Sequence, residues 1–286
     1  MTWGMWRGVI ALAAAAALAS CSVNPLAGPA SPLDSARARN QSRHVSERFE
    51  DHPVVIDDPS GVETSRLFFS ASETVVVTDG TVEAQLRGAS VAVTAHAPMI
   101  SYSPQRHVEV IREIERLKAH TVLTVGQVAL APTTGALRLQ RDPGGLEALH
   151  TMTSLRFDIR DVPGSGDPGA AVSAVAGLPG DPPTWLRTPD APAIMPGAAA
   201  RPFPLQSRRD ADMAPVVVAT RESSLASVTN ARSFGASVEV LDEPDPRRSD
   251  GALYAMAGLA DGALIALGPQ FGSAAELTRN IMQAEE

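Results

Sequence analysis

The side chains best suited to chemistry are few and scattered. Six histidines occur, His44, His52, His96, His107, His120 and His150. None forms a pair four residues apart with a glutamate after the first, the spacing that puts two zinc ligands on one helix face. They read as surface or capping residues. Lys118 is the only lysine, which excludes a Walker-type phosphate loop and leaves one residue for Schiff-base chemistry. No Gly-x-Ser-x-Gly nucleophile elbow occurs. No nucleophile, base and oxyanion set can be assembled, so the chain reads as a non-enzyme with no cofactor and no metal. Anion recognition is better represented. The other 23 of the 24 basic residues are arginine, whose planar fork grips phosphate or carboxylate in bidentate fashion. Arg106, Arg221, Arg247 and Arg248 each fall beyond an expected strand end, the edge at which open α/β sheets bind ligands. Asp79 and Gln127 follow two further strands and complete the candidate set. Asp79-Gly80 could seat a metal or phosphate, but reads first as a turn. The run Asp242, Glu243, Asp245 is stiffened by Pro244 and Pro246 and reads as a solvated loop.

The elements that must position these residues come in two similar sets. Thr74 to Thr78 is β-branched throughout, as in a strand buried on both faces. Val82 to Val93 and Pro104 to Lys118 have helical spacing, the second with Val108, Ile111, Ile114 and Leu117 against charges. Ala97 to Ser101 and Thr121 to Val125 are further strands. The order is βαβαβ, which right-handed crossovers turn into a parallel sheet covered by helices. The pattern returns with strands at 215–219, 237–241 and 263–267 and helices at 225–234 and 251–259. Val75 to Gly126 spans 51 positions and Val216 to Gly268 spans 52, which argues for an internal repeat. The fold class expected is α/β, two βαβαβ units with parallel sheets in a Rossmann-like or Toprim-like three-layer sandwich. Between them, Ser154 to Arg160 reads as a strand and Ala170 to Leu178 as a helix. The Pro-rich stretch 179–213 reads as a mobile connection.

The amino terminus reads as a processing segment. Arg7 precedes an apolar run from Val9 to Leu18, about half the length a membrane span needs. It ends in Leu18-Ala19-Ser20-Cys21, which resembles the lipobox of bacterial lipoproteins. That resemblance implies a signal peptide over 1–20, cleavage before Cys21 and lipidation of its thiol. The mature chain would be a lipid-anchored, extracytoplasmic protein. Residues 21–60, with breaker pairs such as Asn24-Pro25 and Gly28-Pro29, read as a mostly disordered tether. The folded part is expected in a first unit over 61–178 and a second over 214–286.

Residues 61–130 resemble the type-2 cell wall-binding repeat family of Gram-positive surface proteins, and 214–277 do so more weakly. Gly61 to Phe69 is similar to the family's opening helix, Val75-Val76-Val77 to its first strand, and Ala97-Pro98-Met99-Ile100 to its Ala-Pro-Ile-Leu strand. Glu113 to Leu117 followed by Val122 to Gly126 matches its last helix and strand. Gln127 departs from the pattern, standing where a second glycine is usual. Two units are visible where the family generally uses three. The resemblance implies non-catalytic binding to an anionic wall polymer.

Composition bounds the function further. The chain has 286 residues, 44% apolar but only 4% aromatic, so its core must be built from Ala, Val and Leu. The net charge of −8 argues against a duplex nucleic-acid partner, which needs a basic face. The single cysteine excludes an intrachain disulfide and a cysteine-rich zinc site. The partners expected are the membrane, through Cys21, and a cell-wall polymer or envelope protein. The competing expectation is a solute-binding lipoprotein whose two α/β lobes close on a small ligand.

Overall fold

The computed structural model describes residues 30–131, 137–164, 166–207 and 213–286. The segment expected to be a signal peptide, and Cys21, lie outside the described residues. The architecture is mixed α/β with parallel sheets, arranged as a three-layer sandwich. The first sheet contains β2 (Thr74–Thr78), β3 (Met99–Ser101), β4 (Thr121–Val125) and β5 (Arg138–Arg141) in the order β3-β2-β4-β5, all parallel. The last contains β8 (Val216–Thr220), β9 (Val238–Leu241), β10 (Leu264–Leu267) and β1 (Pro53–Ile56) in the order β9-β8-β10-β1, also all parallel. The two sheets therefore share one topology. Their central strands are wholly buried, which is why they are continuous β-branched and apolar runs and not alternating ones.

The last sheet shows how both faces are covered. Val217, Ala219, Ile265 and Leu267 face inward and join the main core. Val216, Val218, Leu264 and Ala266 face outward. There they pack with Met256 of α8 (Asp250–Met256) and with Leu277 and Ile281 of α9 (Ala274–Glu285).

A third, partial unit lies between the two expected ones. β1, α2 (Val62–Phe68), β2, α3 (Val82–Ala95) and β3 begin at residues 53, 62, 74, 82 and 99. β5, α5 (Leu146–Thr153), β6 (Asp158–Asp161), α6 (Pro168–Ala176) and β7 (Thr184–Arg187) begin at 138, 146, 158, 168 and 184, which is 84 to 86 positions later in every case. The middle unit stops there. Its sheet is the parallel pair β6-β7 alone, without the two strands that flank β2 and β8 on the other side. The opening strands of the first two units join the sheet of another unit: β5 enters the first sheet and β1 enters the last.

The three equivalent helices α3, α6 and α7 (Leu225–Phe234) pack against one another. Each has a side-chain N-cap, Thr81, Asp167 and Ser224, accepting from the amide three residues on. Six residues past the cap, α3 and α7 carry the buried polar groups that join neighbouring units. Arg87 Nε and Nη2 donate to the two carboxylate oxygens of Asp142 at 2.8 and 3.0 Å. Asn230 Oδ1 accepts from the Met99 amide at 2.7 Å, and its Nδ2 donates to the Gly61 carbonyl at 2.8 Å and to Thr64 Oγ1 at 3.0 Å. An aromatic cluster completes the joint. The Phe234 ring lies 5.7, 5.4 and 6.3 Å from those of Phe49, Phe68 and Phe69.

Three expectations are corrected. Residues 30–60 are not a disordered tether. α1 (Pro32–Gln41) docks on α8, where Asn40 Nδ2 donates to the carbonyls of Tyr254, Ala255 and Ala257 at 3.0–3.3 Å. β1 then supplies the fourth strand of the last sheet, so that sheet is not contained in 214–286. Nor is 179–213 a mobile connection where it is described. It includes β7, Phe203 is buried, and Gln206 Nε2 donates to Ser72 Oγ and Thr74 Oγ1 at 2.7 and 2.8 Å. The physical reason is shared: these segments lack apolar periodicity, and isolated contacts, an edge strand, one buried phenylalanine and one polar side chain at a time, hold them.

Candidate functional site

The strand ends expected to bind a ligand are mostly closed by their own hydrogen bonds. After β2, Asp79 Oδ1 accepts from the Thr81 amide and hydroxyl at 2.9 and 2.5 Å, and Oδ2 accepts from the Gln127 amide at 2.7 Å. Gly126 is obligatory here: its φ is +80°, and a Cβ would lie 2.2 Å from Asp79 Oδ2. Asp79 and Gln127, both expected as ligand contacts, meet instead as a staple between β2 and β4, with Gln127 contributing its backbone. The cleft above them, about 620 Å³, is lined by Asp79, Glu83 and Asp190 with no cationic side chain. An acidic wall of this kind repels an anion. In the last unit, Gln270 Nε2 fills the corresponding end, donating to Thr220 Oγ1, Ser223 Oγ and the Leu267 carbonyl at 2.9–3.1 Å.

The four candidate arginines separate into three places. Arg106 stays at the start of α4 (His107–Arg116) on the first unit. Arg221 turns away from its strand end and lies over Gly169, where a Cβ would sit 2.7 Å from its Nε. Its Nη2 donates to both oxygens of Asp167 at 2.9 Å. Asp167 also caps α6, and the Ala170 amide followed by Arg221 holds its carboxyl below the usual carboxylate range. Arg221 is therefore a clasp between the last and middle units.

Arg247 and Arg248 do converge. With Arg279 they line a polar cleft of about 500 Å³ beyond β9 and β10, alongside Gln270 and Asn280. Its acids are already engaged. Arg247 holds Asp245 through Nε at 3.0 Å and Nη2 at 2.7 Å, and its Nη1 donates to Gln283 Oε1 at 3.0 Å. That pairing holds the Asp245 carboxyl low and the Arg247 guanidinium high. Arg248 Nε is 3.4 Å from Glu243 Oε2. Glu276 closes a capping box with Ser273, and those hydrogen bonds, ahead of Arg279, lower its pKa. Three arginines thus line one concavity together with Glu243, Asp245 and Glu276, and both oxygens of Asp245 and of Glu243 are already engaged. The sequence reading missed Arg279. It sits on the last helix, six residues past a serine cap, and only the packing of α9 against the sheet brings it beside Arg247.

Among the described residues, no group of three or more His, Cys, Asp or Glu could hold a metal ion, and no helix is long and apolar enough to cross a membrane.

No protein-family model and no curated protein matches the chain. Among solved structures, Cwp8 from Clostridium difficile is a distant likeness, at 14% identity and a TM-score of 0.46. The match covers 81% of this chain and 51% of that one, so the chain spans about half the length of that neighbour.

Proposed function

We propose that this is a lipid-anchored envelope protein that binds an anionic cell-wall polymer, or an anionic envelope partner, without catalysis. The observation that carries the reading is the polar cleft beyond the ends of β9 and β10, where Arg247, Arg248 and Arg279 line one concavity whose acids, Glu243, Asp245 and Glu276, are engaged in internal bonds. Forked cations on a rigid sheet edge suit spaced phosphate or carboxylate groups. The polymer class and the anchor rest on the sequence resemblances, at residues 61–130 and at the Leu18 to Cys21 box. The rest of the molecule is the frame that holds the cleft. A receptor that closes two lobes needs a loose joint between them. Here the joint is packed and hydrogen-bonded, built from α3, α6, α7, the buried Asn230 and the phenylalanine cluster.

The mature net charge is −9 by count, from 23 basic and 32 acidic residues once Arg7 is removed. Long-range attraction to an anion is then unfavourable, and binding must come from local contacts. Such contacts at an exposed cleft are screened over about 8 Å at physiological salt. Cosedimentation with purified wall should fall as salt rises, and Arg248→Glu with Arg279→Glu should reduce it further. Retention that ignores salt and survives both reversals would overturn the reading.

A further inference from the structure

The amino-terminal segment carries information on how the molecule is placed. α1 is fixed to the body. Ala36 and Asn40 are buried, Asn40 caps the carbonyls at the end of α8, and Gln41 Nε2 donates to the Gly258 carbonyl at 3.1 Å. Arg37 lies between Asp34 and Glu285, at 3.4 Å from each. Cys21 stands eleven positions before Pro32. Whatever its conformation, a chain of that length spans at most about 40 Å, roughly the width of a body this size.

Basic residues outnumber acidic ones within the segment itself. Residues 31–44 contain Arg37, Arg39, Arg43 and His44 against Asp34 alone. Arg39 and Arg43 are exposed. The acids that face this stretch from other elements are Glu285, already engaged with Arg37 and the Gly258 amide, and Asp51 and Asp261, which share a shallow groove with Arg43. A body of net charge −9 held within 40 Å of an anionic surface is repelled as a whole. A body so held is turned to bring exposed cations, and not carboxylates, to that surface, and Arg39 and Arg43 are the exposed cations nearest the leash in sequence.

We propose that the α1 end of the last unit is the membrane-facing surface of the protein, with Arg39 and Arg43 lying against anionic lipid headgroups. This rests on the anchor reading, because the short leash from Cys21 supplies the proximity and the arginines supply only the orientation. A juxtamembrane arginine contributes about fivefold in affinity, which is too little to recruit the body alone and enough to orient one already tethered.

The test uses the full-length acylated protein in vesicles of phosphatidylcholine with or without phosphatidylglycerol. Acylation consumes Cys21, the only thiol, so one introduced cysteine can be spin-labelled: Ala38→Cys on α1, or Gly166→Cys on the middle unit, both at exposed positions. The α1 label should be broadened by a headgroup-bound relaxant several-fold more than the Gly166→Cys label, and only with phosphatidylglycerol. Arg39→Glu with Arg43→Glu should abolish the difference while the protein stays with the vesicles. Equal broadening at both positions, or no dependence on anionic lipid, in a protein that remains membrane-bound overturns the orientation alone. Recovery of unmodified protein of unacylated mass in the soluble fraction overturns the anchor, and the orientation with it.

Discussion

Arg87 and Asp142 are 1% and 2% exposed at their side chains, and this pair shows what a single residue does in the fold. A buried ion pair is weak evidence for stability, because desolvation of both groups offsets their attraction. Its loss on one side is a different matter. Arg87 would remain as an uncompensated charge beneath the Trp185 ring, whose centroid is 5.0 Å from its guanidinium carbon. Asp142→Ala is expected to cost about 3–5 kcal/mol. Arg87→Met with Asp142→Leu should cost much less, since no charge is then stranded. Urea unfolding of the three proteins checks this; equal losses in the single and double variants would show that the pair is not what joins the first unit to β5. Asn230 is the equivalent residue of α7, and it satisfies the Met99 amide without any charge at all.

At the scale of elements, the informative pieces are the strap from α1 to β1 and the short pair β6-β7. Removing residues 22–60 would leave β10 without one of its two neighbours, strip Asn40 from the carbonyls of α8 and take Phe49 out of the aromatic cluster. Such a truncation is expected to lose the last sheet cooperatively, and hydrogen exchange should show β8 and β10 unprotected. Persistent protection of those strands would mean that β1 is an accessory. β6 presents the opposite case. It reads Asp-Ile-Arg-Asp and is mostly exposed, where β2 and β8 are wholly apolar or threonine and buried. Its free edge occupies the position that two further strands fill in the other sheets. Charges on an exposed edge discourage pairing with another chain, so the change in composition tracks the missing strands.

The whole molecule behaves as one body because its main core is continuous through all three units. Phe234 is fully buried and touches Phe49 of the strap and Phe68 and Phe69 of the first unit. Thermal unfolding of the wild type should therefore be a single transition. Phe234→Ala should lower stability by about 3–5 kcal/mol and shift that one transition as a whole. Two separated transitions in the wild type would indicate units that fold independently, and would reopen closure on a small ligand as a mechanism.

The α/β class, the parallel sheets and seven of the ten strands among the described residues were legible in the sequence. Thr74–Thr78, Thr121–Val125 and their counterparts in the last unit are buried on both faces, and such burial leaves an uninterrupted β-branched or apolar run in any chain that makes it. The helices α3 and α4 were legible for the same reason, through apolar spacing. The middle unit was not recognised as a repeat, because with half its strands gone β6 is exposed and its residues no longer carry the apolar signature. The strap was not recognised because it is held by Asn40, Phe49 and one edge strand, none of which leaves a period. At the strand ends, the residue types were readable and their employment was not. Asp79 and Arg221 are spent on internal bonds, whereas Arg247 and Arg248 meet Arg279 across some thirty residues of chain. Which polar groups are consumed and which face solvent together depends on contacts between segments far apart in sequence, and local pattern holds no record of those.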